Sequence, residues 1–174
     1  METKQIVVYV DGSSTVFPDK NRDKFGGIGV YFPDKNIKIQ DSYKSDTVTN
    51  QKMELMASIV AIKRCITDNK NSLWQLTIYT DSMYVINCMT KWASKWILFD
   101  WTRYNGKKEM EITNLKLIKQ LYKLSKLYPV SYSHVRSHQK EPTDKNSSKW
   151  QHWQGNKIAD ELANKAMTSL RDKD

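Results

Sequence analysis

Four acidic residues stand where the chain changes character. Asp11 and Asp81 close short β-branched runs, and Glu54 and Asp160 lie in the first turns of amphipathic stretches, off their apolar faces. Ligands of open α/β sheets bind outside the carboxyl ends of strands, which is where Asp11 and Asp81 fall. Singly, each acid reads as a helix cap or a dipole partner. Four packed carboxylates are different: they repel and do not all stay ionised unless a divalent cation removes that cost. Hard oxygen ligands suit Mg²⁺ or Mn²⁺ rather than zinc. Two such ions, ~3.5–4 Å apart, stabilise the attacking and leaving oxygens of a phosphodiester displacement. The residues alone reach metal-dependent phosphodiester chemistry on nucleic acid.

The charge agrees. The 174 residues carry 28 Lys+Arg against 19 Asp+Glu, a net charge of +9 that points to a polyanionic partner. Six of those nine net charges lie between Ser82 and Tyr128. There Lys91, Lys95, Lys107 and Lys108 are interleaved with Trp92, Trp96 and Trp101. Lysines neutralise phosphates while Trp packs on sugars or bases; the competing reading is that the Trp rings only cover the core. No apolar run approaches the length of a bilayer span, which excludes a membrane helix. An aromatic content of 11% argues against global disorder. Cys65 and Cys88 are isolated within apolar patterns and read as buried, reduced thiols of an intracellular protein. Neither a secretion signal nor a transit or lipidation motif is visible, so a cytoplasmic or nuclear location is expected.

The elements that must position the acids follow from hydrophobic period. Ile6–Val10 reads as a strand closed by a turn at Asp11-Gly12-Ser13, and residues 16–24 as a loop. Gly26–Phe32 and Ile37–Tyr43 form a hairpin about Pro33–Asn36. Leu55, Ile59, Ile62 and Ile66 mark one face of a helix entered at Thr49-Asn50. A strand at Leu76–Tyr79, a helix bearing Tyr84, Val85, Cys88 and Met89, a helix near 112–127 and a strand at Val130–Val135 follow. Residues 139–153 read as a polar loop, and a last helix runs from about 156 to 170. This βββ-α-β-α-α-β-α order predicts a single α/β domain over residues 1–174, with a five-stranded mixed sheet flanked by helices.

The motifs resemble one family, the type 1 ribonucleases H. Tyr9-Val10-Asp11-Gly12-Ser13 is similar to its first strand and Gly26-Gly27-Ile28-Gly29-Val30-Tyr31-Phe32 to its second. Thr49-Asn50-Gln51-Lys52-Met53-Glu54-Leu55-Met56-Ala57 resembles its first helix, and Tyr79-Thr80-Asp81-Ser82-Met83-Tyr84 its fourth strand. Gly155-Asn156 with Ala159-Asp160-Glu161-Leu162-Ala163 is similar to its last helix. The resemblance covers almost the whole chain except residues 139–153, and Tyr79 to Trp101 looks most like the eukaryotic-type enzymes.

The resemblance implies a ribonuclease H-like fold. It implies hydrolysis of the RNA strand of an RNA–DNA hybrid by a monomer, leaving 5′-phosphate and 3′-hydroxyl ends. Asp11, Glu54, Asp81 and Asp160 fall on acids that hold two Mg²⁺ ions, with Mn²⁺ as a substitute. His138 is similar to a histidine on a mobile loop after the fifth strand, and neutral imidazole suits the proton traffic of hydrolysis. His152, between Trp150 and Trp153, is the alternative, and His134 reads as structural. Thr49 falls on a phosphate pocket, Asn50 and Gln51 on minor-groove contacts, and Trp96 on a DNA channel. Trp92 and Trp101 are expected to pack. Residues 91–109 resemble a basic protrusion that holds the DNA strand through Lys91, Lys95, Lys107 and Lys108. Three departures stand out: Ser137 and Thr47 replace a usual Gly and Arg, and Phe17 lies near a usual Asn. Competing readings are a binding module without turnover and a domain cut from a reverse transcriptase. Met1 leading at once into a strand favours a stand-alone enzyme, with no room for an N-terminal hybrid-binding domain.

Overall fold

In the computed structural model, which describes residues 2–15 and 23–174, the β-branched run after Lys4 becomes the middle of a five-stranded sheet. Phe17 lies outside the described residues. Strand β1 (Lys4–Ser14) pairs antiparallel with β2 (Lys24–Phe32) and parallel with β4 (Trp74–Thr80). Strand β3 (Ile37–Ser45) borders β2, and β7 (Val130–His134) runs parallel beside β4. The sheet is mixed, as expected. Parallel neighbours need crossover connections. Helix α1 (Asn50–Asp68) makes the first, its Thr49 Oγ1 capping Lys52 N at 3.1 Å.

The second crossover is longer. Helix α2 (Met83–Asn87) passes through a π turn at Cys88–Trp92 into α3 (Ala93–Leu98). A small hairpin follows, β5 (Arg103–Asn105) and β6 (Lys108–Met110), turning at Gly106 with φ +62°. Helix α4 (Leu115–Leu127) then leads into β7.

Alternation along β1 sends Val8 and Val10 toward α1 and Tyr9 toward the last helix, α5 (Ser148–Arg171). The main core joins Val8, Val10, Ile28, Val30 and Ile78 to Leu55, Ile59, Ile62, Ile118 and Leu121. Each such fully buried aliphatic side chain contributes roughly 1.5–3 kcal/mol. A smaller cluster of Tyr9, Tyr31, Val135 and Ala159 lies under α5. Cys65 and Cys88 are buried and free, and burial pushes both thiols up to about 11.

Three elements depart from the expectation. β1 does not stop at a turn but carries Asp11, Gly12 and Ser13 on to Ser14, because β2 pairs with it over that stretch. The hairpin within 91–109 was not expected; at three residues a strand, it is too short for period to register. The last six residues of the supposed 139–153 loop are helix. Ser147 Oγ accepts from Trp150 N at 3.2 Å and starts α5 eight residues ahead of position 156. Gly155 precedes the expected start at 156. It lies inside the helix because the Tyr9 ring occupies the space a Cβ would need.

Candidate active site

Backbone contact sets the acids in place. A Cβ on Gly12 would collide with the backbone of Met53 and Glu54, so the glycine lets α1 rest directly on β1 and brings Glu54 beside Asp11. Gly29, the β2 partner of Asp11, does the same for α5: a Cβ there would strike the Ala159 carbonyl, next to Asp160. Asp81 follows the last residue of the parallel neighbour β4. One carboxylate oxygen each from Asp11, Glu54 and Asp81 lie within 4.8 Å of one another. Asp160 approaches the set from the helix side, near enough to Asp11 to raise its pKa. Its Oδ1 accepts from Asn164 Nδ2 at 3.2 Å, and Asn164 Oδ1 accepts from Ser13 Oγ at 2.6 Å.

The electrostatics are those of crowded acids. Asp11 is 5% exposed. Burial first, then the charge of Asp81, the nearby Asp160 carboxyl and Glu54, push its carboxyl up to about 9, against a lowering bond from Gly12 N–H. Glu54 is pushed up to about 7 by burial and Asp81, opposed by a bond from Ser82. Asp81 is raised by burial and by Asp160, and the nearby His134 and His138 pull it back. No basic side chain forms an ion pair with any of the four acids among the described residues. A partly buried all-oxygen set with no basic partner among the described residues fits a hard divalent cation. Asp11, Glu54 and Asp81 can hold one.

The histidines separate. A cleft of about 220 Å³ is lined by Asp81, Asp160, His138, Arg136, Trp153 and Asn156, among others. His138 thus faces the acids across a shared space. Its backbone is left-handed, φ 52°, a conformation His tolerates better than most residues. Ser137 does not share it, so the usual glycine is not needed there. His152 lies elsewhere: its Nδ1 is 2.8 Å from the Tyr9 hydroxyl and its ring lies 4.5 Å from that of Tyr79. His134, expected to be structural, is exposed at the end of β7, opposite Thr80, and acts on Asp81 through its charge.

The other expected contacts divide in the same way. Gln51 and Trp96 line one groove of about 520 Å³ with Tyr84, Trp92, Arg103 and Tyr104. Asn50 lies beside it in sequence, its Oδ1 accepting from Ser14 Oγ at 2.8 Å. Thr49 spends its hydroxyl on the helix cap. Thr47 is exposed and bonded only to Ser45 among the described residues. Lys91, Lys95, Lys107 and Lys108 are exposed, the first two along the π turn and α3, the others at the hairpin. Trp92, Trp96 and Trp101 all pack partly against the core. Two cleft-side residues escaped the sequence reading as functional. Asn164 had a signal, its i+4 spacing from Asp160. Asn156 is buried with an unpartnered Oδ1, which only the fold reveals.

An acidic cluster at the carboxyl ends of β1 and β4, walled by a helix on each face, is the frame of a nuclease. Residues 3–168 match the family described as RNase H, and the chain belongs to the ribonuclease H family. The Ribonuclease H of Orientia tsutsugamushi (strain Boryong) is 34% identical over 91% of this chain and 79% of its own. That of Syntrophomonas wolfei is 32% identical, over 96% and 99%. Among solved structures, the RNase H domain of PFV aligns at TM-score 0.65 and 24% identity, over 97% of both chains. LC11-RNase H1, solved in complex with RNA/DNA hybrid, aligns at 0.61 and 18%, over 95% and 98%. These structures share the fold. No described helix is long and apolar enough to cross a membrane.

Proposed function

We propose that this enzyme cuts the RNA strand of RNA–DNA hybrids endonucleolytically, as a single-domain monomer, leaving 5′-phosphate and 3′-hydroxyl ends. The observation that carries the reading is the convergence of Asp11, Glu54 and Asp81 oxygens within 4.8 Å in an otherwise basic chain. The chain's family and a structural neighbour that holds RNA/DNA hybrid support the substrate.

Asp11, Glu54, Asp81 and Asp160 would hold two Mg²⁺ ions, with Mn²⁺ as a substitute, which when bound supply Lewis acidity and activate water. The chain's own residues do the rest. Lys91, Lys95, Lys107 and Lys108 bind the phosphates of the DNA strand, and Trp96 packs on it. Asn50 and Gln51 present amides that donate to and accept from the RNA 2′-hydroxyl and base edges, which distinguishes RNA from DNA. Thr49 borders a phosphate of the DNA strand. His138, on the rim of the cleft, takes a proton at its imidazole and returns it to solvent between turnovers.

The test is cleavage of a labelled hybrid with Mg²⁺, with Mn²⁺ and with chelator, beside duplex RNA and duplex DNA. Metal-dependent cutting of the hybrid's RNA strand alone is expected. Tight hybrid binding without cutting would replace this reading with a binding module.

A further inference from the structure

His138 needs help to stay in place. It is exposed, and its ring makes no hydrogen bond among the described residues. It lies in a stretch, 135–147, with no helix or strand. Ordering such a segment costs conformational entropy at every residue, so contacts must hold it.

The holding contacts come from the unexpected first turns of α5. Trp153 Nε1 donates to the backbone carbonyl of Gln139 at 2.9 Å, one residue beyond His138. Trp150 Nε1 donates to Glu141 Oε1 at 3.0 Å. An i, i+3 spacing puts the two indoles on one side of the helix, and their centroids are 6.2 Å apart. Lys157 Nζ lies 5.1 Å from the centre of the Trp153 ring, bracing it from the next turn. Gln139 Nε2 also donates to the Ser137 carbonyl at 3.1 Å, so the residues flanking His138 are tied to each other and then to the helix. Trp153 lines the cleft that His138 shares with Asp81 and Asp160.

We propose that Trp153 is a positioning residue, a latch that acts through the Gln139 carbonyl to keep His138 over the acidic cleft. The proposal rests on the reading of His138 as the proton carrier. The indole's one donor falls on the loop carbonyl next to the histidine, so the contact fixes the backbone at 139 as well as filling space. A group held within reach of the reacting atoms is worth far more than the same group on a wandering loop, and a displacement of about 1 Å can cost 10²-fold.

The experiment is a double-mutant cycle on hybrid cleavage. Trp153→Phe keeps the ring and removes the donor. We expect kcat to fall about tenfold with KM within twofold of the parent, and amide exchange at 137–142 to accelerate. In a His138→Ala background, Trp153→Phe should lower kcat by less than twofold further. Glu141→Ala, an exposed change that does not threaten folding, should show the same pattern more weakly. Equal losses from Trp153→Phe in both backgrounds would overturn the latch while sparing His138, as would faster exchange with unchanged kcat. If His138→Ala itself cleaves at the parent rate, the reading of His138 falls and the proposal falls with it.

Discussion

Asn164 Nδ2 lies 3.2 Å from Asp160 Oδ1, one helical turn back along α5, while the same Asn164 accepts from Ser13 Oγ at 2.6 Å. One amide therefore joins the helix-borne acid to the strand that bears Asp11. Neutral side-chain hydrogen bonds contribute about 1 kcal/mol each, and those to charged groups about 1.5–3. Asn164→Leu is expected to lower kcat several-fold, leave KM for hybrid near the parent value, and change Tm little. Steady-state kinetics beside a thermal melt would check this, and an unchanged kcat would show that Asp160 needs no such support.

Crowded acids also set a pH dependence. Glu54 and Asp11 have folded values of about 7 and about 9. Unfolded carboxyls titrate near 4. Between these limits the two groups hold more protons in the folded chain than in the unfolded one, so their contribution to stability is fully present below about pH 4 and is lost as pH rises through about 7 to 9. In chelator, Tm should fall from pH 5 to pH 9. Mg²⁺ should raise Tm more at pH 8 than at pH 5. Asp11→Asn should stabilise the metal-free chain at pH 8 on the order of 2 kcal/mol, roughly 4–8 °C at this size. A metal-free Tm that rises with pH would contradict the assignment.

Asp81→Asn removes the charge and keeps the shape. Cleavage should be lost by at least three orders of magnitude, while hybrid binding, measured in chelator, stays within a few-fold because the lysines are untouched. Retained cleavage would move the site away from the carboxyl end of β4.

The four lysines of the protrusion carry the salt response. Each phosphate contact adds about 0.9 to the slope of log affinity against log salt. Replacing Lys91, Lys95, Lys107 and Lys108 with Ala should raise KM at moderate salt and flatten the slope by roughly three to four. A slope equal to that of the parent would assign phosphate binding to other residues.

His152 offers a contrast with His138. Its imidazole satisfies the Tyr9 hydroxyl, whose own ionisation is strongly disfavoured by burial and by the neighbouring Tyr79. His152→Phe should cost about 1 kcal/mol of stability and leave kcat alone, whereas His138→Ala should lower kcat and spare Tm. A kcat loss in His152→Phe would reverse the assignment.

The positions of Asp11, Glu54 and Asp81 were legible because each sits where period or turn chemistry changes, and β1, β2, β4 and α1 carry plain patterns. The start of α5 was not. Its first turns are polar, and Gly155 imitates a helix boundary; the Tyr9 ring that excludes a Cβ is distant in sequence and invisible to any local rule. The hairpin at Gly106 was hidden by its length. The division of labour between His138 and His152 depended on where α5 begins, and so could not be read from spacing.

That helix also acts as a ruler. Trp153 and Asp160 are seven residues apart, two turns or about 10.5 Å along the axis and nearly in line. Asn164 continues the same edge. Inserting or deleting one residue between 153 and 160 would swing one end by about 100° relative to the other. The loop anchor and the fourth acid could then not both face the cleft. The 142–146 stretch, outside the anchored span, carries no such restriction. Length variation should therefore be tolerated within 142–146 and lethal to turnover between Trp153 and Asp160, a boundary set by helical phase rather than by the chemistry of any single side chain.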